Sequence, residues 1–341
     1  MSDPKNYTVG WICAVGIEYF AAKALLDEVH APMHRRFEND ITVFTMGRIG
    51  NHNVVIGTLP FAEYGIIAAA NVARSMLRHF VNVRVSLIVG IGGGAPSRKN
   101  DIRLGDLVIG TPQNGNSGVL GYASGEDAQG QAFQQMGYLN PPPPPLLQKA
   151  VGDLKAKYER EGHHIHQRID TILQNHPNLR EAHARPNLAT DLLYRSDYIH
   201  PPDPQNKIDC TVACGNHPSN LVSRHPRSAN EESPKIHYGL IASAGKLVKN
   251  SKFRDEFAEK HDVLCFGMED VGLMNHFPCL VIRGICDYSD SHKKKKKWQG
   301  YAAMVAAVYA KDILSEIAPA SVLGQARIND VVSGERIPLS S

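Results

Sequence analysis

No apolar run in this 341-residue chain reaches the ~18 residues that a membrane-spanning helix needs. A helical membrane protein is thereby excluded, and no membrane partner is predicted. The opening MSDPKNYTVG lacks the basic start and apolar middle of a secretory signal. Charge of one sign is missing as well. Lys+Arg 37 against Asp+Glu 34 leaves +3, too mild an excess to point to nucleic acid. No internal repeat is visible, which excludes a solenoid. Cysteine is sparse, at Cys13, Cys210, Cys214, Cys265, Cys279 and Cys286. Four of these stand in apolar strand-like runs and read as reduced core residues of an intracellular, cytoplasmic protein. With 43% hydrophobic residues, the chain can bury one large core and an elaboration of it.

What is present concentrates between 263 and 299. A buried strand is predicted from Val263, a helix opens on Met268-Glu269-Asp270, and Cys279-Leu280-Val281-Ile282 starts a second strand. That second run has no alternation, as expected where both faces are covered. Glu269 follows the first strand and Asp287 the second, and the two strands read as neighbours. Ligands of open α/β sheets bind at the carboxyl ends of strands, so these carboxylates mark the candidate active site.

The same alternation recurs upstream. Residues 8–14 predict a strand and 17–26 a helix, which places Glu18 at another strand's carboxyl end. A hairpin is predicted from 41–45 and 53–59 around Gly47-Arg48-Ile49-Gly50-Asn51, and a helix over 65–80. Residues 85–89 predict a buried strand running directly into Gly90-Ile91-Gly92-Gly93-Gly94. Two readings of these glycines stay open: close approach by a ligand, or a tight turn needing positive φ. The spacing is not the dinucleotide fingerprint. Further strands are predicted at 104–109 and 236–243, and helices at 250–261 and 300–317.

Between 113 and 235 the texture changes to a Gly/Ser/Gln loop, a proline run at 141–145, a helix over 146–160 and His-rich polar sequence. Cys210, Cys214, His217 and His225 make an indifferent zinc set, with Cys-x3-Cys spacing and Pro218 and Pro226 close by. No metal and no cofactor are therefore predicted. The stretch reads as a surface insertion with solvated histidines and a stiff proline connector. Residues 7–318 read as a single domain containing this insertion, and 319–341 as a tail or linker without a clear partner.

CAVGIEYFAAKALLDE, LIVGIGGGAP, DIRLGD, LYRSD, HYGLIASA, FGMED and VIRGICDYSDSHK are spread over residues 7–315. Together they resemble the nucleoside phosphorylase/nucleosidase superfamily, and especially its fungal branch, found as N-terminal domains of NACHT- or repeat-containing immune-type proteins. The resemblance implies a three-layer α/β/α sandwich with a central mixed sheet and a fungal-type insertion. By this resemblance Asp287 matches the acid that protonates purine N7 as the glycosidic bond breaks, a task worth ~10²–10⁴ in rate. Glu269 matches the residue that binds ribose hydroxyls, and Met268 the one packing on the sugar. Ser243, Leu247 and Val248 match the region lining the base, and Gly92 and Gly93 would lie against the ligand. Glu18 matches the base that activates water in methylthioadenosine/adenosylhomocysteine-type nucleosidases. Phosphorylases of this fold carry a basic phosphate ligand in that stretch, so hydrolysis is predicted. Two positions depart from the pattern. Gly267 stands where an acidic residue is usual, and Asp270 where a small one is.

The implied function is a purine nucleosidase releasing adenine from nucleosides or nucleotides, ATP among them. It would use water as co-substrate, assemble as a homo-oligomer and serve as an immune-type effector domain. Arg195, Arg48 and His237 are candidate cations for substrate phosphates. The lysine run at 293–297 reads as a solvated loop. Phosphate-dependent phosphorolysis is one alternative. A catalytically inactive nucleotide-sensing or oligomerisation module is the other.

Overall fold

A computed structural model describes residues 3–33, 42–60, 65–113, 116–122, 135–138, 142–202, 208, 210–227, 234–274, 277–292 and 297–334. The lysines at 293–296 and Pro141 lie outside the described residues. The strands are β1 (Val9–Cys13), β2 (Glu28–Val29), β3 (Phe44–Ile49), β4 (His52–Thr58), β5 (Val85–Gly94), β6 (Leu107–Gly110), β7 (Val119–Tyr122), β8 (Gln135–Tyr138), β9 (Ile236–Ser243), β10 (Val263–Gly267) and β11 (Leu280–Asp287). Among the described residues they make one eleven-stranded mixed sheet in the order β2-β3-β4-β1-β5-β11-β6-β9-β7-β8, with β10 branching off to pair with β5 and β9. The helices are α1 (Gly16–Ala24), α2 (Ile66–His79), α3 (Pro145–Glu161), α4 (Ile165–Asn175), α5 (Arg180–His183), α6 (Cys210–Ala213), α7 (Ser251–His261), α8 (Asp270–Met274), α9 (Lys297–Ser315), α10 (Pro319–Leu323) and α11 (Ile328–Ser333). No helix among the described residues is long and apolar enough to cross a membrane.

β1, β4, β5 and β11 run parallel, while β6, β7, β9 and β10 run the other way. β1, β6, β7 and β10 are buried along their whole length, which is why their sequences do not alternate. Helices cover both faces. α1 packs with α9 on one side, and α2 with α8 on the other. Gly284 faces α9 so closely that a Cβ there would overlap the Ala302 backbone. Its neighbour Arg283 consequently points to the opposite layer, where α8 begins.

Four expectations need correction. The 47–51 hairpin loop is only a tight turn at Gly50-Asn51, because Gly47, Arg48 and Ile49 belong to β3. β10 and β11 are not hydrogen-bonded neighbours, since each pairs with β5 from its own side. The 113–235 stretch is not a solvated appendage either. β7 joins the sheet, and α3, α4 and α5 cover the outer side of α9. Leu147, Leu154, Ile165, Ile169 and Leu173 are buried there. At about 1.5–3 kcal/mol per buried side chain, that face is core. Nor is the tail unpartnered. Val322 and Ile328 are buried, and the Ile328 N–H donates to the Val83 carbonyl at 2.9 Å.

Candidate active site

The glycines after 89 prolong β5 rather than ending it, and none of Gly90, Gly92, Gly93 or Gly94 has positive φ. Their missing side chains make room for other residues. A Cβ on Gly90 would collide with the Glu18 carboxylate and stand 2.6 Å from Arg283 Nη1. On Gly92 it would meet the Phe266 carbonyl at 3.2 Å and Arg283 Cβ at 3.4 Å. On Gly93 it would collide with Ser289 Oγ and lie 2.7 Å from Asp287 Oδ1. The end of β5 is thus the floor on which the charged groups converge.

Glu18 stands at the third position of α1, and its Oε2 accepts from the Ala14 and Val15 N–H groups at 2.7 and 3.1 Å. Half of this is ordinary helix capping. Oε1 goes further and accepts from the Ile91 N–H at 2.8 Å, tying α1 to β5. Glu269 follows β10, which enters beyond the end of β5 and runs back so that Phe266 pairs with Gly93. Its Oε2 lies 3.8 Å from Arg283 Nη2, and the same guanidinium nitrogen donates to Asp270 Oδ1 in a closer pair. A single buried guanidinium therefore serves three buried carboxylates. Arg283 escaped the sequence reading because VIRGI reads as one more covered strand.

The two departures lie against each other in space. A side chain at position 267 would start against the Asp270 carboxylate, which fills that space.

Burial is the largest influence on two of these carboxyls. It raises Glu18 against the pull of Arg283 and three backbone N–H groups. It pushes Glu269 from 4.5 up to about 7; Arg283 opposes that shift, while Glu18 and Asp270 add to it. A carboxyl with a raised folded pKa stabilises the fold while protonated, below its unfolded value, and loses that contribution as pH rises through the folded one. Glu269→Gln should therefore gain on the parent by on the order of 3 kcal/mol between about pH 4.5 and pH 7. Paired urea titrations would check this, and a pH-independent difference would refute it.

Asp287 ends β11, where a bulge at Cys286 sets it opposite Gly93 instead of Gly94. Bulges beside functional sites re-aim side chains in this way. Its Oδ1 accepts the Ser289 N–H at 2.8 Å, a bond made possible by Ser289 turning into left-handed conformation at φ 52°. The loop that follows is pinned from two sides. Arg254 of α7 donates to the Tyr288 carbonyl at 2.8 Å, and Arg224 of the insertion donates to the Tyr288 hydroxyl at 2.7 Å. Ser243 ends β9 next to Gly267, and Met268 follows β10 half-buried. The Ser243 and Ser289 hydroxyls are buried without a hydrogen-bond partner among the described residues.

Leu247 is exposed, whereas Val248 is buried. Arg48 pairs with Glu28 level with the start of β1, at the opposite end of the sheet from Glu18. His237 opens β9, and its Nε2 lies 3.1 Å from Asp106, which Arg227 also engages. Arg195 is exposed and paired with Asp197 at 3.2 Å. Arg48 thus lies away from the site, whereas His237, level with Arg283 across β6, and Arg195 are each engaged by a carboxylate.

The sequence-based zinc set also changes membership. Cys210 and Cys214 do come together, but with His200 and His292. His217 instead bonds Ser219 at 2.8 Å.

The same fold occurs in solved hydrolase and nucleosidase structures. Futalosine hydrolase of Helicobacter pylori superposes with a TM-score of 0.55 at 13% identity, covering 92% of this chain and 99% of that one. A 5′-methylthioadenosine/S-adenosylhomocysteine nucleosidase from Neisseria meningitidis, in complex with methylthio-immucillin-A, gives 0.54 at 15% identity, with 91% and 99% covered. In sequence, the chain is 42% identical over 316 residues to a nucleotide-binding leucine-rich repeat (NLR)-like protein of Hyaloscypha variabilis. That match takes in 93% of this chain but spans only 30% of the relative's length. No protein-family model matches the chain.

Proposed function

We propose that the chain is a purine nucleosidase hydrolysing the N-glycosidic bond of adenine nucleosides and nucleotides. The observation that carries this reading is the convergence of Glu18, far off in sequence, with Glu269 and Asp287 on the glycine end of β5. In the proposed reaction, the C1′–N9 bond breaks with its electron pair passing to the purine, and Asp287 delivers a proton to N7. Because Oδ1 already accepts the Ser289 N–H, that proton belongs on Oδ2. Water forms the new bond to C1′ and gives a proton to Glu18. Glu269 binds the ribose hydroxyls while Met268 packs on the sugar. The Ser243 hydroxyl stands ready as a polar contact for the ligand.

Water is favoured over phosphate on electrostatic grounds. Arg283, the cation beside Glu18, is already committed to Asp270 and Glu269, so it is not free to bind a phosphate dianion. Support for a phosphorylated substrate, ATP included, rests on the fungal-branch resemblance. The effector role rests on the likeness to the NLR-like protein.

The test is incubation with adenosine, methylthioadenosine, AMP and ATP, with and without phosphate, with products separated chromatographically. Adenine should appear without phosphate, and Glu18→Gln should slow its release by roughly 10²-fold or more. Turnover only with phosphate, yielding ribose 1-phosphate, would overturn the hydrolytic reading.

A further inference from the structure

His200, Cys210, Cys214 and His292 come from a loop of the insertion, from α6 with the residue just after it, and from the loop behind Asp287. Their ligand atoms all lie within 4.8 Å of one another. His200 Nδ1 is 3.0 Å from Cys214 Sγ, the two sulfurs are 3.4 Å apart, and His292 Nδ1 is 3.3 Å from each sulfur. In a tetrahedral site with Zn–S of about 2.3 Å and Zn–N of about 2.0 Å, neighbouring ligand atoms stand roughly 3.3–3.8 Å apart. Three of these four separations fall in that range and the fourth is slightly shorter, close to what a closed Cys2His2 set requires.

We propose that these four residues hold a structural zinc ion that staples the insertion to the loop following β11. Three further observations support the assignment. First, His292 Nε2 lies 3.0 Å from the Tyr198 carbonyl. A carbonyl only accepts, so Nε2 carries the hydrogen and Nδ1 presents its lone pair to the sulfurs, an outer contact typical of metal-bound histidine. Second, Cys210, Cys214 and His292 are buried, and the Tyr194 ring is stacked on the His292 ring at 4.0 Å. Two thiolates neutralise a zinc dication, so the filled site buries no net charge. Third, α6 places its cysteines four apart, presenting both sulfurs on one side of a single turn. A disulfide between them would account for the sulfurs but give no reason for two imidazole nitrogens to face them.

The consequence reaches the active-site loop. The His200 N–H donates to Ser291 Oγ at 3.0 Å, and the His292 N–H donates to Asp290 Oδ1 at 2.8 Å. The ion would therefore fix residues 287–292, and with them the placement of Asp287. All four positions are filled by protein, so the role is structural rather than catalytic. The assignment does not depend on the proposed reaction.

The full chain, purified without chelators or a histidine tag, should carry about one zinc per molecule by elemental analysis. Cys210→Ser with Cys214→Ser should lose it, whereas His217→Ala with His225→Ala should retain it. Cobalt exchanged into the unmutated chain should give the intense visible bands of tetrahedral thiolate coordination, a readout that holds even if the double serine variant fails to fold. Stripping the metal should lower the thermal midpoint, and zinc should restore it. Metal-free protein that gives only weak octahedral cobalt bands would overturn the proposal. So would a mass lower by two hydrogens, reporting a Cys210–Cys214 disulfide, or loss of zinc from the His217/His225 control.

Discussion

Asp287→Asn should leave a folded protein that releases adenine ~10²–10⁴ times more slowly, the range a positioned general acid contributes. The substitution is nearly isosteric. An amide oxygen can still accept the Ser289 N–H that now reaches Oδ1 at 2.8 Å, so the left-handed turn at Ser289 and the bulge at Cys286 have no reason to relax. What disappears is an acidic proton for the departing purine. The loss should therefore appear mainly in kcat, with substrate binding retained, as expected when an interaction made in the transition state is removed. It should also shrink for substrates whose leaving group departs without protonation. Cys286, whose sulfur lies 3.5 Å from Asp287 Oδ2, supplies a control: Cys286→Ser removes that thiol but keeps the acid. Steady-state rates of both variants on the best substrate of the panel decide the matter. A rate for Asp287→Asn within about threefold of the parent would remove Asp287 from the acid's role.

The strand-helix alternation, the buried runs and the carboxylates at strand ends were legible because each is a local pattern. β9 and α2 fall within a residue or so of the spans read from periodicity. Partnerships across the chain were not legible. The spacing of Gly90 and Gly93 says that side chains are unwelcome, but only the fold shows that Glu18, Arg283 and Asp287 occupy the space. Nothing local in VIRGI distinguishes a buried cation from a strand's edge residue. Gly267 and Asp270 look like two separate departures in sequence, and only in space does the Asp270 carboxylate prove to fill the room beside Gly267. Arg48 is a candidate by its charge, and charge alone cannot report which end of a strand a residue occupies. His292 is 78 residues beyond Cys214, too far for any spacing rule to join them.

Arg283→Met should cost about 3–5 kcal/mol of stability, the penalty for stripping one partner from a buried ionic group. The side chain is 1% exposed, and its guanidinium is what compensates Glu18, Glu269 and Asp270. Methionine fills much of the volume but leaves three buried carboxylates facing one another. Their repulsion must be relieved by taking up protons or opening the end of β5. The first route makes the loss depend on pH. Burial already raises Glu18 and Glu269 in the parent, and without the cation they rise further. Groups with raised folded pKa values stabilise the fold in acid and lose that contribution as pH rises. The gap between Arg283→Met and the parent should accordingly be small near pH 4.5 and widen toward pH 7 and above. Asp270→Asn separates charge from packing. In the parent it takes an anion from Arg283 and should destabilise; in Arg283→Met it removes a repelling charge and should restore part of the loss. That sign reversal is a coupling a cavity cannot produce. Urea titrations of the four proteins at two pH values measure it. Additive losses would mean that Arg283 supports the fold by its bulk, and that the carboxylates gathered on β5 do not need its charge.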